Sequence, residues 1–173
     1  MNRFIRRLLP VFTLLYLGSV NAGGVYQEPE AFIAEAFNGA APEVKVFWPD
    51  AELKQNMADI LGHPYQGLRI RYWINGERSA WILDEIGKDK PITTGVVINR
   101  SHIEAVRVLV FRESRGWEVR HRFFTKQFDD ASLRENRQLD RHIDNISGAT
   151  LSVNALTKVA RLALHLHQKV TTQ

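Results

Sequence analysis

Leu68-Arg69-Ile70-Arg71-Tyr72-Trp73-Ile74-Asn75-Gly76-Glu77-Arg78-Ser79-Ala80-Trp81-Ile82-Leu83 is the stretch on which the fold turns. Residues 68–74 are rich in β-branched and aromatic side chains, the types that suit a pleated, half-buried surface. Asn75-Gly76 is the strongest short hairpin signal, and residues 79–83 return as the partner strand. Downstream, residues 92–98 and 103–111 read as two more strands, with a turn over 99–101 between them. Four strands pairing antiparallel are therefore expected.

Helical periodicity flanks this block. Residues 30–37 follow Pro29 with Ala31, Ala34 and Phe37 at helical spacing, and Gly39 and Pro42 end the run. Asp50 is placed to cap a second helix with Leu53, Met57, Ile60 and Leu61 on one face and Gly62 as its stop. Residues 152–169 carry Leu156, Val159, Ala160, Ala163 and Leu166 along one stripe. Residues 117–128 have no clean period, and 129–142 read as loop with a helical turn or two. Helices around a mostly antiparallel sheet make the fold α+β, with a C-terminal amphipathic helix. Phe47, Trp48, Tyr65, Tyr72 and Trp73 are mostly expected in the core, with an exposed subset able to dock a partner.

Composition narrows the function. The 173 residues suit one domain of ordinary size. With no cysteine, disulfides, iron–sulfur clusters, thiolate zinc sites and cysteine nucleophiles are excluded. The net charge of +4 owes much to Arg3, Arg6 and Arg7; without them 20 basic residues face 19 acidic ones. That balance argues against nucleic acid as a partner. The same arginines precede an apolar run from 8 to 20 and then Val20-Asn21-Ala22, the layout of a cleaved export signal over 1–22. The run is too short for a stable membrane span. A mature domain over 23–173, in the periplasm, is the expectation.

Chemistry concentrates in Asp144-Asn145-Ile146-Ser147-Gly148-Ala149-Thr150, directly before the last helix. A helix N-terminus gathers free amides and positive dipole, which suits a phosphate. Gly148 and Ala149 remove bulk, so another molecule can approach the backbone. Thr150 adds a hydroxyl beside the amides, and Asp144 a carboxylate that could orient it or hold a metal ion. The bland alternative is that Ser147 or Thr150 simply caps the helix. The six histidines are scattered, and His165 and His167, two apart, make a poor metal pair. No Gly-x-Ser-x-Gly elbow, Gly-x-Gly-x-x-Gly fingerprint or phosphate loop is present.

Three segments together resemble the FMN-binding domain family: Lys90-Pro91-Ile92-Thr93-Thr94-Gly95-Val96-Val97-Ile98, Phe111-Arg112-Glu113-Ser114-Arg115-Gly116-Trp117, and the run from Asp144 to Thr150. The resemblance covers about residues 78–170. The family includes the flavin-carrying periplasmic subunits of the sodium-pumping NADH:quinone oxidoreductase and of the Rnf complex. It implies FMN joined covalently to Thr150 by a phosphoester, installed by a flavin transferase that uses Mg transiently. It also implies recognition through Asp144, Ser147, Gly148 and Ala149. Glu113 and Gly116 would lie against the flavin, and Thr93, Thr94 and Gly95 would line the ribityl or phosphate region. Trp117 is a candidate ring neighbour, and Arg112 or Arg115 a candidate for its pyrimidine edge; Phe111 reads as core. Those electron-transport subunits have Glu-Thr-Pro-Gly-Leu where this chain has Glu-Ser-Arg-Gly-Trp, and they keep a membrane anchor. The expectation is an electron carrier working with a membrane oxidoreductase or an extracytoplasmic reductase. A flavin-dependent reductase with its own small substrate, or a cofactor-free interaction module, are the alternatives.

Overall fold

The computed structural model describes residues 24–172, and the segment read as an export signal lies outside them. Their sheet has six strands, all antiparallel, in the order β1-β6-β5-β4-β3-β2. The strands are β1 (Gly24–Val25), β2 (Lys45–Phe47), β3 (Ile70–Asn75), β4 (Arg78–Ile86), β5 (Pro91–Asn99) and β6 (His102–Phe111). The expected four form the centre. The short β1 and β2 close the two edges, and β1 reaches β6 from the far end of the chain.

The hairpin forms one residue later than the Asn-Gly signal suggests. Asn75 stays in β3, paired with Arg78, so Gly76 and Glu77 make the loop. Gly76 has φ +57° and Glu77 no positive φ, the pattern of a glycine-first two-residue turn. The β5–β6 turn instead holds Arg100 and Ser101 both left-handed, at φ 49° and 65°.

Helices cover both faces. α1 (Pro29–Ala36) lies on one, packing Phe32, Ile33, Ala36 and the following Phe37 on Ala80, Val97 and Leu109. Phe32 is 2% exposed, burial that stabilises by about 1.5–3 kcal/mol. α2 (Ala51–Leu61) and α4 (Thr150–Thr171) cover the other face over the larger core. Asp50 caps α2 by accepting from the Leu53 amide at 2.7 Å, and Gly62 ends it left-handed at φ 79°, as expected. α4 is buried more widely than one stripe, because the sheet holds one side of it and α2 another. His165 and His167 are accordingly both buried. The ring Nδ1 of His167 meets Ser79 Oγ at 2.7 Å, and that oxygen accepts from Trp81 Nε1 at 2.8 Å.

Between β6 and α4 the chain makes short turns: a 3-10 turn (Trp117–Arg120), the four-residue α3 (Arg122–Thr125) and a second 3-10 turn (Lys126–Phe128). The helical turn expected within 129–142 does not form. Leu133 and Leu139 pair there as an antiparallel bridge, and Asp130 and Arg137 take positive φ, which ends helical winding. Trp48, expected in the core, is 66% exposed, because β2 ends at Phe47 on the sheet's edge. Phe47, Tyr65, Tyr72 and Trp73 do pack against the two cores.

Candidate functional site

The run 144–150 is a tied loop leading into α4. The Asp144 amide donates to Gln127 Oε1 at 2.7 Å, and the Ala149 amide to the Ile146 carbonyl at 2.9 Å. Asn145 Oδ1 accepts from the Ile146 amide at 2.9 Å, while its Nδ2 donates to Thr150 Oγ1 at 2.8 Å. Gly148 takes φ +81°, and a Cβ built on it would meet no atom within 4 Å. Its left-handed backbone thus borders open space.

No side chain caps α4. Ala149 occupies the capping position, and neither Ser147 nor Thr150 turns its hydroxyl back onto the helix amides. The bland reading of the motif as a cap is therefore not what the residues do. The first-turn amides have no intrahelical acceptor by construction, so this end is available to an anion. Thr150 and Ser147 are exposed, Ala149 is buried, and the Asp144 side chain is 84% exposed, 3.9 Å from His142 Nε2.

Across from this helix end lies a second built element. Glu113, 5% exposed, accepts from the amides of Lys88, Asp89 (2.7 Å) and Lys90 (2.9 Å) with one oxygen. Its carboxylate therefore clamps the β4–β5 turn. Gly87 makes room: a Cβ there would sit 3.0 Å from Glu113 Oε1. Burial by itself pushes the Glu113 carboxyl up, but the three amides and the nearby Lys88 charge together hold it below its ordinary value. Gly116, at φ +83°, seats the segment against α4: a Cβ on it would lie 2.5 Å from Ser152 Oγ.

Together these elements enclose a cavity of about 570 Å³, with Lys88, Glu113, Ser114 and Arg115 facing the segment from Gly148 to Ser152. Of the residues expected at the site, Gly148, Ala149, Thr150, Glu113 and Arg115 line it. Asp144 and Ser147 are exposed in the loop before Gly148 and do not line it, and Gly116 packs against Ser152 of its wall. The others lie elsewhere. Thr93 donates to Asp84 and accepts from Arg112 Nη1 at 2.9 Å. Thr94 is fully buried with its hydroxyl unpartnered. Gly95 lies under α1, where a Cβ would come 2.5 Å from Phe32 Cζ. Trp117 is half-buried, edge-on to His121 at 5.3 Å with the Arg120 guanidinium 4.9 Å over its ring. Sequence reasoning passed over Lys88 and Ser152. Lys88 is an ordinary turn lysine until Glu113 holds its backbone, and no local pattern signals that.

The residues present fit a phosphate-bearing ligand: free helix amides, two cations, a hydroxyl and a glycine with open space beside it. No curated protein and no solved structure gives a significant match to the chain. Residues 87–165 match the family model of the FMN-binding domain, a span that contains every residue lining the cavity, so the chain carries a domain of the FMN-binding family and reads as a flavin-binding protein.

Proposed function

We propose that this protein carries FMN as a phosphoester on Thr150 Oγ1 and passes electrons between redox partners outside the cytoplasm. The uncapped end of α4, with the exposed Thr150 hydroxyl beside the open space at Gly148, is the observation that carries the reading. On attachment from a donor that holds FMN in a phosphoanhydride, the hydroxyl oxygen would bond to the FMN phosphorus as the anhydride P–O bond breaks, and the hydroxyl proton would leave with the displaced phosphate. The helix amides then face the remaining negative oxygen. Their dipole contributes only about 0.3–1 kcal/mol, so it orients the phosphate while the covalent bond retains it. Lys88 and Arg115 add positive charge from the opposite wall. The bound flavin supplies one- or two-electron transfer, and the chain supplies position and electrostatics. Outside the cytoplasm a tether keeps the local concentration permanent, independent of affinity. A flavin transferase using Mg installs the group. A membrane oxidoreductase or an extracytoplasmic reductase completes the transfer.

The test is the intact mass of the protein exported with an active flavin transferase, beside Thr150→Ala. An increment of one FMN less one water in the wild type, and none in the variant, is expected. An unmodified wild type, with the transferase active on a control substrate, sinks the covalent assignment.

A further inference from the structure

Half of the large hydrophobic side chains that the described residues leave exposed, Val44, Val46, Trp48 and Leu68, gather at one edge of the sheet. Val46 pairs with Arg71 and Phe47 with Ile70; continuing that register sets Trp48 across from Arg69, with Leu68 next. The loop that carries Leu68 is tied. His63 Nδ1 lies 3.0 Å from the Pro64 carbonyl and Nε2 3.1 Å from the buried Glu85. The Gln66 side-chain amide donates to the Pro64 carbonyl at 3.2 Å. Tyr65 packs so closely on Gly67 that a Cβ there would meet its ring at 2.5 Å. Leu68, at the end of this tied loop, is 78% exposed. Single exposed aliphatics are ordinary, but a tryptophan, a leucine and two valines side by side on a fixed backbone mark an interaction surface.

The same edge carries free cations. Lys45, Arg69 and Arg71 are exposed and form no ion pair among the described residues. Arg69 and Arg71 line a cleft of about 710 Å³ together with Asp84 and Glu85. Those carboxylates are engaged elsewhere. Asp84 accepts from Thr93 Oγ1, and Glu85 meets Lys158 Nζ at 3.2 Å as well as His63. Asp50, just after Trp48, is held in the cap of α2, and Glu43 stands before β2, away from Trp48. The two guanidiniums are left facing outward.

We propose that this edge docks the protein on an anionic lipid surface, with Trp48 and Leu68 entering the headgroup boundary while Lys45, Arg69 and Arg71 meet the lipid phosphates. Tryptophan joins an apolar body to a polar N–H, which suits that wet boundary. Apolar burial and attraction to anionic lipid together set the strength of such a contact. Two projecting apolar side chains with cations behind them fit a fluid surface that moulds round them. A protein partner takes about 800 Å² of matched face instead. The strand register adds an orientation. β2 ends, β3 begins, β4 ends, β5 begins and β6 ends at one end of the sheet. Lys88 and Glu113 follow from that same end, so the docked protein holds the cavity at Thr150 toward the membrane. Docking needs no flavin and stands apart from the reading of Thr150.

The test is sedimentation with vesicles of phosphatidylcholine, with and without phosphatidylglycerol. It uses the exported chain in wild type, Trp48→Ser, Leu68→Ser, the double variant Arg69→Gln with Arg71→Gln, and Phe123→Ser. All samples carry the same N-terminus, confirmed by mass, so differences report the edge alone. The substituted side chains are exposed, so the fold is retained, which thermal unfolding checks. Phe123 is an exposed aromatic on α3, which packs on β6 toward the opposite edge, and it serves as the control. Wild type is expected to bind the anionic vesicles, and to bind less as salt rises. Trp48→Ser and Leu68→Ser are each expected to weaken binding roughly tenfold. The double arginine variant is expected to lose about fivefold per charge, and Phe123→Ser to bind as wild type does. Trp48→Ser should also remove most of the blue shift of tryptophan emission on binding. The proposal falls if wild type stays in solution, if the edge variants bind like wild type, or if Phe123→Ser loses as much as they do. Edge variants that change self-association but not vesicle binding overturn it too, and assign the edge to a second copy. None of these outcomes bears on the mass increment at Thr150.

Discussion

Asn145 Nδ2 donates a hydrogen bond to Thr150 Oγ1 at 2.8 Å, across the turn that opens α4. The amide occupies one lone pair of the hydroxyl and fixes its direction, leaving the proton and the second lone pair toward solvent. If Thr150 is the acceptor proposed above, Asn145 is a positioning residue for it. Both residues are exposed, so Asn145→Ala is expected to change stability by no more than about 0.5 kcal/mol. Flavin incorporation, followed by intact mass over time, is expected to slow. Asn145→Gln, whose longer amide can still reach the hydroxyl, should recover part of the rate. Unchanged kinetics in Asn145→Ala would remove the role.

Gly116 and Gly148 are both left-handed, but only one is crowded. An alanine at either position carries backbone strain of roughly 1–2 kcal/mol. At Gly116 the new Cβ also meets Ser152 Oγ 2.5 Å away, whereas at Gly148 it meets nothing within 4 Å. Urea unfolding is expected to show Gly116→Ala the more destabilised of the two. Equal losses would mean that Ser152 turns aside freely.

Gly95 is a packing residue under α1, with Phe32 over its backbone. Gly95→Ala is expected to cost about 1–3 kcal/mol, the range for overpacking a filled core. Phe32→Leu in the same chain should restore part of that loss, because the two sites are in contact and do not add independently. Strict additivity in the double variant would separate them.

Glu113 ties the β4–β5 turn by accepting three amides. Glu113→Ala is expected to destabilise by about 1–3 kcal/mol at neutral pH and to loosen the wall that carries Lys88. The folded carboxyl lies below its ordinary value, so the stability it contributes is present above the unfolded pKa. It is lost as pH falls through the folded value. The loss caused by Glu113→Ala should therefore shrink in acid, measured as wild-type minus variant unfolding free energy from pH 7 downward. A pH-independent difference would contradict the linkage.

His165 and His167 are shifted in the opposite direction to the more exposed His63. Burial holds both below their ordinary value, with Arg137 and Lys169 adding to the effect at His165 while Glu52 opposes it. Each binds fewer protons folded than unfolded, so stability is full above about 6.5 and falls as pH drops toward the folded values. His63 works the other way: raised by the Pro64 carbonyl and by Glu85, it adds stability below the unfolded pKa. The variant His167→Gln is expected to flatten the decline between neutral and mildly acidic pH in thermal unfolding scans. An unaltered slope would show that His167 does not drive it.

The elements of this fold were legible because each is written locally. Alternation and β-branching mark β3 to β6, Asp50 and Gly62 bracket α2, and a periodic apolar stripe marks α4. Even the loop before α4 stands out, since Gly148 and Thr150 beside a helix start fall within seven residues. The edge strands were not legible: β1 and β2 are two and three residues long and exist only through β6 and β3. The Thr93-Thr94-Gly95 segment shows the same limit, since Gly95 owes its size to Phe32, 63 positions earlier in the chain.

By itself, then, the sequence determined the α+β class, the central meander, the long last helix and the family of its cofactor-binding domain, all of which depend on neighbours in the chain. Tertiary structure alone decided which of those residues meet. Glu113 reaches back some two dozen positions to clamp Lys88, Gly116 seats that segment against Ser152, and Leu151 opens toward Ile86. Such meetings follow from the order of strands in the sheet and the placement of α4 across them. Those are set by burying both faces of the sheet at once, a condition on the whole chain that no short stretch records.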